Sequence, residues 1–203
     1  AEKYQKFTKL PPPQQAKIKR NIKDKYQLSN YLLTQGTREP RKNLDRLIKA
    51  FLLFKKNHPQ SKIQLAITGK YGWGQDVNHH QHPDIKILGF VPQTDLLPLH
   101  SATIALVYPS LYEGFGLPIL KSLSLSVPVI TSKTSSIPEV AGPAALYINP
   151  KSVSSIQKAI HQITTSSATH YRLSQLAKIQ AKKFSWTQTA KQTLTIYEKI
   201  FKG

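Results

Sequence analysis

Val107-Tyr-Pro-Ser-Leu-Tyr-Glu-Gly-Phe-Gly-Leu-Pro-Ile-Leu-Lys-Ser-Leu123 is the stretch that decides how this chain is read. The apolar run Ala102 to Val107 is short and bounded by polar or turn residues, which predicts a buried strand. From Leu117 onward the apolar residues take helical spacing. Between the two stand Glu113-Gly114-Phe115-Gly116, two glycines bracketing one aromatic. Glycines at a strand-to-helix junction let a ligand approach uncovered backbone N–H groups. The following helix adds its free N–H groups and the positive end of its dipole. The expected occupant is an anion, a phosphate above all. Glu113 would repel a phosphate, so its expected task is to accept hydrogen bonds from hydroxyls of the kind a sugar carries.

The same grammar recurs upstream. Asn30 to Gly36 reads as a strand closing on glycine, followed by Thr37-Arg-Glu-Pro-Arg-Lys-Asn43 and an amphipathic helix with Leu44, Leu47, Ile48, Phe51, Leu52 and Phe54 as its stripe. The cations of that loop, Arg38, Arg41 and Lys42, suit a diphosphate, arginine as a fork and lysine as a point charge. Lys62 to Thr68 predicts another strand, ending in Gly69-Lys-Tyr-Gly-Trp-Gly74. Asp84 to Gly89 predicts a third, with Phe90 and Val91 at the corner beyond it and a short helix from Gln93 to His100 that Thr94 would cap. Further strands are expected over Val127–Thr131 and Ala145–Asn149, and helices over Val153–Ile163, His170–Phe184 and Trp186–Phe201. In the last of these, capped by Ser185, Leu194, Ile196, Tyr197, Ile200 and Phe201 mark a face expected to be buried. Strands alternating with helices imply an α/β fold: a Rossmann-like three-layer domain around a mainly parallel sheet. The expected organisation is a basic lead-in over 1–28, the Rossmann-like domain over 29–184, and a C-terminal helix over 185–203 packing back on it.

Composition bounds the partners. The 203 residues carry 29 Lys and Arg against 10 Asp and Glu, a formal +19. Nucleic acid, an anionic membrane surface or phosphorylated small substrates would each answer such a charge. Neither zinc-knuckle spacing nor an RNA-recognition aromatic signature is present, so no nucleic acid is expected, and a membrane surface is the better use of the surplus. Without cysteine there is neither a disulfide nor a thiolate site. No apolar run is long enough to cross a bilayer. His79, His80 and His82 invite a metal reading, but without a carboxylate pattern or helical spacing a solvated loop is expected. No methionine occurs, as expected of a processed product or a piece of a longer chain.

Ser110-Leu-Tyr-Glu-Gly-Phe-Gly-Leu-Pro-Ile-Leu120, Val127-Pro-Val-Ile-Thr131 and Ser136-Ile-Pro-Glu-Val-Ala-Gly142 together resemble the nucleotide-sugar half of a GT-B glycosyltransferase, family 4 type. The resemblance implies the C-terminal half of a GT-B fold and a retaining, metal-independent transferase of polysaccharide biosynthesis. Such an enzyme passes a sugar from a UDP- or GDP-sugar to a glycan or lipid-linked acceptor without a cofactor. It implies catalytic roles for Glu113 and Lys42. Donor contacts would come from Gly36, Arg38, Arg41, Lys42, Gly69, Phe90, Val91, Glu113, Gly114, Phe115, Gly116, Leu117 and position 121. The acceptor side would come from an N-terminal domain, in the same protein or another chain. The implied location is cytoplasmic, at the inner face of the cell membrane when bound to it. One residue departs from the pattern: the family's Glu-x7-Glu would end in a carboxylate, and this chain has Lys121. Ser122, Ser124, Leu125 and Ser126 also differ from the family's Glu-Ala-Met-Ala-Cys-Gly run. Lysine there would reach a phosphate or pair with Glu113. The alternative reading is a degenerate, non-catalytic domain used as a protein or membrane scaffold.

Overall fold

The computed structural model describes residues 2–74 and 82–202. Six strands form one parallel sheet in the order β3-β2-β1-β4-β5-β6: β1 Tyr31–Gln35, β2 Gln64–Thr68, β3 Ile85–Gly89, β4 Ala105–Tyr108, β5 Val129–Ser132 and β6 Ala145–Ile148. Register runs from Tyr31 opposite Gln64 to Gln35 opposite Thr68, and Leu32 lies opposite Ala105. The strand order reverses between β1 and β4, so the loops leaving their C-terminal ends diverge and open a crevice there.

Alternation along β1 divides the core in two. Leu32 faces α3 (Leu44–Asn57) and α7 (Val153–Thr165), where Phe51, Phe54, Ile67, Val107, Ile156 and Ile160 pack. Tyr31 and Leu33 face α4 (Gln93–Ala102), α5 (Leu117–Ser124), α6 (Ile137–Ala141) and α8 (Ser167–Ala181), with Leu99, Leu106, Ile119, Val140 and Ala177. Each such aliphatic or aromatic side chain, fully removed from water, contributes about 1.5–3 kcal/mol. The odd-numbered face of β1 ends at Gln35, a polar side chain on the α4–α5 side of the sheet, at the crevice.

Several element boundaries depart from the sequence reading, each for a local reason. The strand expected from Ala102 begins at Ala105, because α4 continues to Ala102 and Thr103 Oγ1 donates to the carbonyls of Tyr31 and Ala105. Pro92, not Thr94, is the N-cap residue of α4; Thr94 turns its hydroxyl to Asp95. Val127 and Pro128 lie outside β5, although the Pro128 carbonyl still accepts from the Leu106 N–H. α8 starts at Ser167 rather than His170, since Ser166 accepts from Thr169 N–H as its N-cap.

The lead-in packs on the domain. It forms α1 (Glu2–Thr8) and α2 (Pro12–Lys25), and it buries Tyr4, Phe7, Ile22 and Leu28. Asp95 anchors it, accepting from Lys25 Nζ and from Tyr26 Oη, each at 2.7 Å. A correction applies to α9 (Trp186–Lys202). Its predicted apolar face is present but uncovered, with Leu194, Ile196, Tyr197, Ile200 and Phe201 all exposed.

Candidate functional site

Where β1 and β4 part, their loops exchange charge. Lys42, at the end of the Pro40–Lys42 turn, places Nζ 2.6 Å from Glu113 Oε1 and donates to Tyr108 Oη. Arg41 Nη1 lies 2.9 Å from Glu113 Oε2, and its Nη2 is 2.6 Å from Glu39. Backbone ties hold the two loops in place: Leu111 N–H donates to the Arg41 carbonyl, and Arg41 Nη1 donates to the carbonyl of Tyr112. Glu113 is fixed at its own backbone too, its N–H donating to Ser135 Oγ and its carbonyl accepting from Ser136 Oγ. Burial pushes the Glu113 carboxyl up, but Lys42, through its hydrogen bond and its charge, together with hydrogen bonds from Ser110 and Tyr108, outweighs it and holds the group below its ordinary value, so it is ionised. Burial lowers Lys42 more than Glu113 raises it, and burial raises the Tyr108 phenol.

Glycine makes this approach possible. A Cβ on Gly36 would stand 3.0 Å from Lys42 Cε, which crosses it on the way to Glu113. A Cβ on Gly69, at φ +131°, would lie 1.8 Å from the Gly36 carbonyl oxygen, so the β1 and β2 exits can touch only without side chains. Asn43 braces the loop from behind in the left-handed region, its Nδ2 donating to the carbonyls of Pro109 and Pro150.

Two further surfaces meet the cluster. α5 starts at Leu117 behind an N-cap glycine, Gly116, that offers no side-chain cap, and Gly114 is exposed with open space over its Cα. Gly114 therefore leaves its backbone uncovered next to Glu113, while Gly116 is buried against Ile119. On the other flank a cavity of about 530 Å³ is lined by Gln35, Gly36, Gly69, Lys70, Phe90 and Val91, among others. Phe90 stands out of it 65% exposed, with Lys70 Nζ 4.9 Å from the ring centroid, while Val91 is buried.

The structure thus brings together Gly36, Arg41, Lys42, Glu113 and the Gly114–Leu117 backbone, with Gly69, Phe90 and Val91 beside them. It sets two predicted residues apart. Arg38 turns to Tyr71, with its guanidinium carbon 5.8 Å from that ring, and borders the groove by Asp45 and Arg46. Lys121 does not pair with Glu113, whose carboxylate is taken by Lys42 and Arg41. It instead lines an apolar cavity of about 480 Å³ with Tyr4, Phe115, Leu117, Phe184 and Trp186, where burial pulls its pKa down.

Sequence reasoning missed Tyr108, Glu39, Asn43, Ser135 and Ser136, whose roles come from contacts across the fold and leave no local signal. Among the described residues no three His, Asp or Glu side chains gather as a metal group; His79 and His80 lie outside them.

Comparison with known proteins places this geometry. Residues 15–180 match the family model of glycosyl transferases group 1. The chain is 38% identical over 185 residues to O-antigen chain mannosyltransferase B of Escherichia coli, covering 87% of itself and 48% of that protein. It is 33% identical over 144 residues to O-antigen chain mannosyltransferase RfbU of Salmonella typhimurium, covering 68% of itself and 40% of that protein. Among solved structures it superposes on a glycosyltransferase from Rickettsia africae with a TM-score of 0.79 at 16% identity, over 99% of this chain and 55% of that one. It also superposes on Anabaena Alr3699/HepE, determined with UDP and glucose, with a TM-score of 0.76 at 19% identity, over 94% of this chain and 54% of that one. The chain spans about half the length of the curated relatives it matches. It belongs to the glycosyl transferases group 1 and has the fold of their C-terminal GT-B domain.

Proposed function

We propose that this chain holds the nucleotide-sugar donor of a retaining, metal-independent hexosyltransferase that takes a UDP- or GDP-sugar and builds a glycan on a free or lipid-linked acceptor. The mannosyltransferase relatives make mannose the first sugar to try. One observation carries the reading: Lys42 and Arg41 converge on a buried carboxylate at the sheet's switch point, beside an uncapped helix start.

The donor's diphosphate is the external anion those two cations suit, and on this reading the Gly114–Leu117 N–H groups add to it. In the reaction the bond between the sugar's anomeric carbon and the phosphate oxygen breaks, and its electron pair stays on that oxygen. The acceptor hydroxyl forms the new bond on the same face and gives its proton to the departing phosphate oxygen. Lys42 and Arg41 stabilise the charge that grows on the departing diphosphate, which supplies the countercharge without an ion. Glu113, displaced from Lys42 by the diphosphate, turns its acceptor-only oxygens to the sugar hydroxyls. The acceptor pocket is assigned to the half of the relatives' length that this chain does not span. The excess of lysine suits work at an anionic membrane surface, on the cytoplasmic side.

A second reading, a non-catalytic scaffold, is favoured by Lys121, an ammonium where the family pattern has a carboxylate. Calorimetric titration with UDP, GDP and their glucose and mannose conjugates separates the two. Saturable binding that Lys42→Ala weakens at least about tenfold supports the donor site. Binding seen only after Lys121→Glu supports the scaffold. Binding by neither protein sinks the donor reading.

A further inference from the structure

Behind the Phe90 cavity, three polar side chains from three elements form a buried chain that the charge cluster does not use. His100 of α4 is fully buried, with Nδ1 2.7 Å from Ser122 Oγ on α5 and Nε2 2.5 Å from Gln35 Oε1 at the end of β1. Its direction can be assigned. The Ser122 hydroxyl has no other acceptor among the described residues, so it donates to Nδ1. The ring is neutral, because burial and then the charge of Lys121 pull its pKa down to about 3. A neutral ring that accepts at Nδ1 carries its proton on Nε2. It therefore donates to Gln35, and the oxygen of that amide is the atom engaged. Gln35 lines the cavity, and its Nε2 has no partner among the described residues, so its two N–H groups are what it has left for a ligand.

The rest of the cavity agrees in sign. Lys70 adds a cation against the Phe90 ring, that ring stays largely exposed for a planar base to stack on, and no carboxylate is among the lining residues. With its oxygen held by His100, Gln35 offers only donors, as does Lys70, so the ligand edge that meets them is an acceptor.

We propose that Gln35, oriented by His100 and Ser122, selects the base of the donor nucleotide by donating to a ring carbonyl oxygen, so that oxo bases are taken over their amino counterparts. This rests on the cavity being the nucleotide site of the reading above. An exocyclic amine at that edge would face the Gln35 N–H groups donor to donor, and a site built around a hydrogen bond rejects the partner that cannot make it. His100 and Ser122 are positioning residues; they set which end of the amide is presented and touch no ligand.

The test is calorimetric titration of the protein with UDP, CDP, GDP and ADP, two oxo–amino pairs. The expected result is tighter binding of the oxo member of a pair by about tenfold or more. Gln35→Glu keeps the shape but offers only acceptors, and it weakens the preferred nucleotide by about tenfold while closing the gap within the pair. Ser122→Ala removes the lock on the His100 tautomer, lets the amide turn over, and narrows the gap in the same sense by a smaller factor. Lys42→Ala weakens all four alike and leaves the ratios intact. A purely structural role for Gln35 would also weaken all four alike, and Gln35→Met, which needs no buried charge, checks this with a thermal melt on each variant. The proposal is overturned if Gln35→Glu and Gln35→Met leave the ratios unchanged while Lys42→Ala weakens binding. It is also overturned if the parent prefers CDP or ADP. If the parent binds none of the four, the nucleotide reading of the site falls, and this one with it.

Discussion

Glu113 and Lys121 stand eight residues apart on one loop–helix unit, and the fold treats their charges in opposite ways. Glu113 is buried and answered at every polar atom for which a partner is known: Lys42 and Arg41 at its carboxylate, Ser135 and Ser136 at its backbone. Lys121 is half-buried among apolar side chains, and among the described residues its ammonium meets no carboxylate. The first charge belongs to a preorganised site that an incoming anion must compete for. The second is tolerated at a cost, at a cavity that also carries the start of α9. A buried pair is held because losing one member strands the other, whereas a lone partly buried ammonium loses nothing when removed.

That contrast can be broken in order of effect. Lys42→Ala leaves Glu113 buried with Arg41 alone and is expected to lower unfolding stability by about 3 kcal/mol. The double change Lys42→Met with Glu113→Gln should recover most of that loss in urea melts. A single-variant loss below about 1 kcal/mol would mean that the cluster is solvated like a surface pair. Next in size is an acid limb on the Lys121 side. The folded pKa of His100, about 3, lies below its ordinary value of 6.5, so between those values the unfolded chain binds a proton that the folded one refuses. Stability therefore falls as pH drops below 6.5, by about 1.4 kcal/mol per unit, or about 2 kcal/mol by pH 5. His100→Asn should flatten this limb in melts from pH 7 to 5, and an unchanged slope would rule His100 out as its source. Glu113 adds to the acid limb lower down, since its depressed pKa makes its contribution present above about 4.5 and lost as pH falls through the folded value. Lys121→Met removes a partly buried charge and should raise stability by about 0.5 kcal/mol, with lost stability as the contrary result. Smallest of all, Ile200→Ser changes an exposed position on α9 and should change unfolding stability by no more than about 0.5 kcal/mol either way in urea melts. A larger loss would show that this face is covered in solution.

Much of this site was legible before the fold was known, and the reasons are local. Glycine after β1, after β2 and around Phe115 marks backbone that must approach something, and Lys42 with Arg41 names its charge. Arg38 could not be told from Arg41, because three residues in a turn point three ways and only the turn's geometry sends Arg38 to Tyr71. Tyr4, Phe7 and Leu28 of the lead-in carry no local pattern that announces a core face, yet they find one.

By itself the sequence determined the alternation of strands and helices, and so the parallel sheet with two apolar faces, because period and turn chemistry act over a few residues. It also determined the family, through motifs that each span about ten residues or fewer. Only the tertiary structure decided that Glu113 answers Lys42 from 71 positions away, that Gln35 reaches His100 across 65, and that the apolar face of α9 lies open. Pairing between distant side chains depends on sheet register and helix packing, and periodicity names a face without naming what covers it.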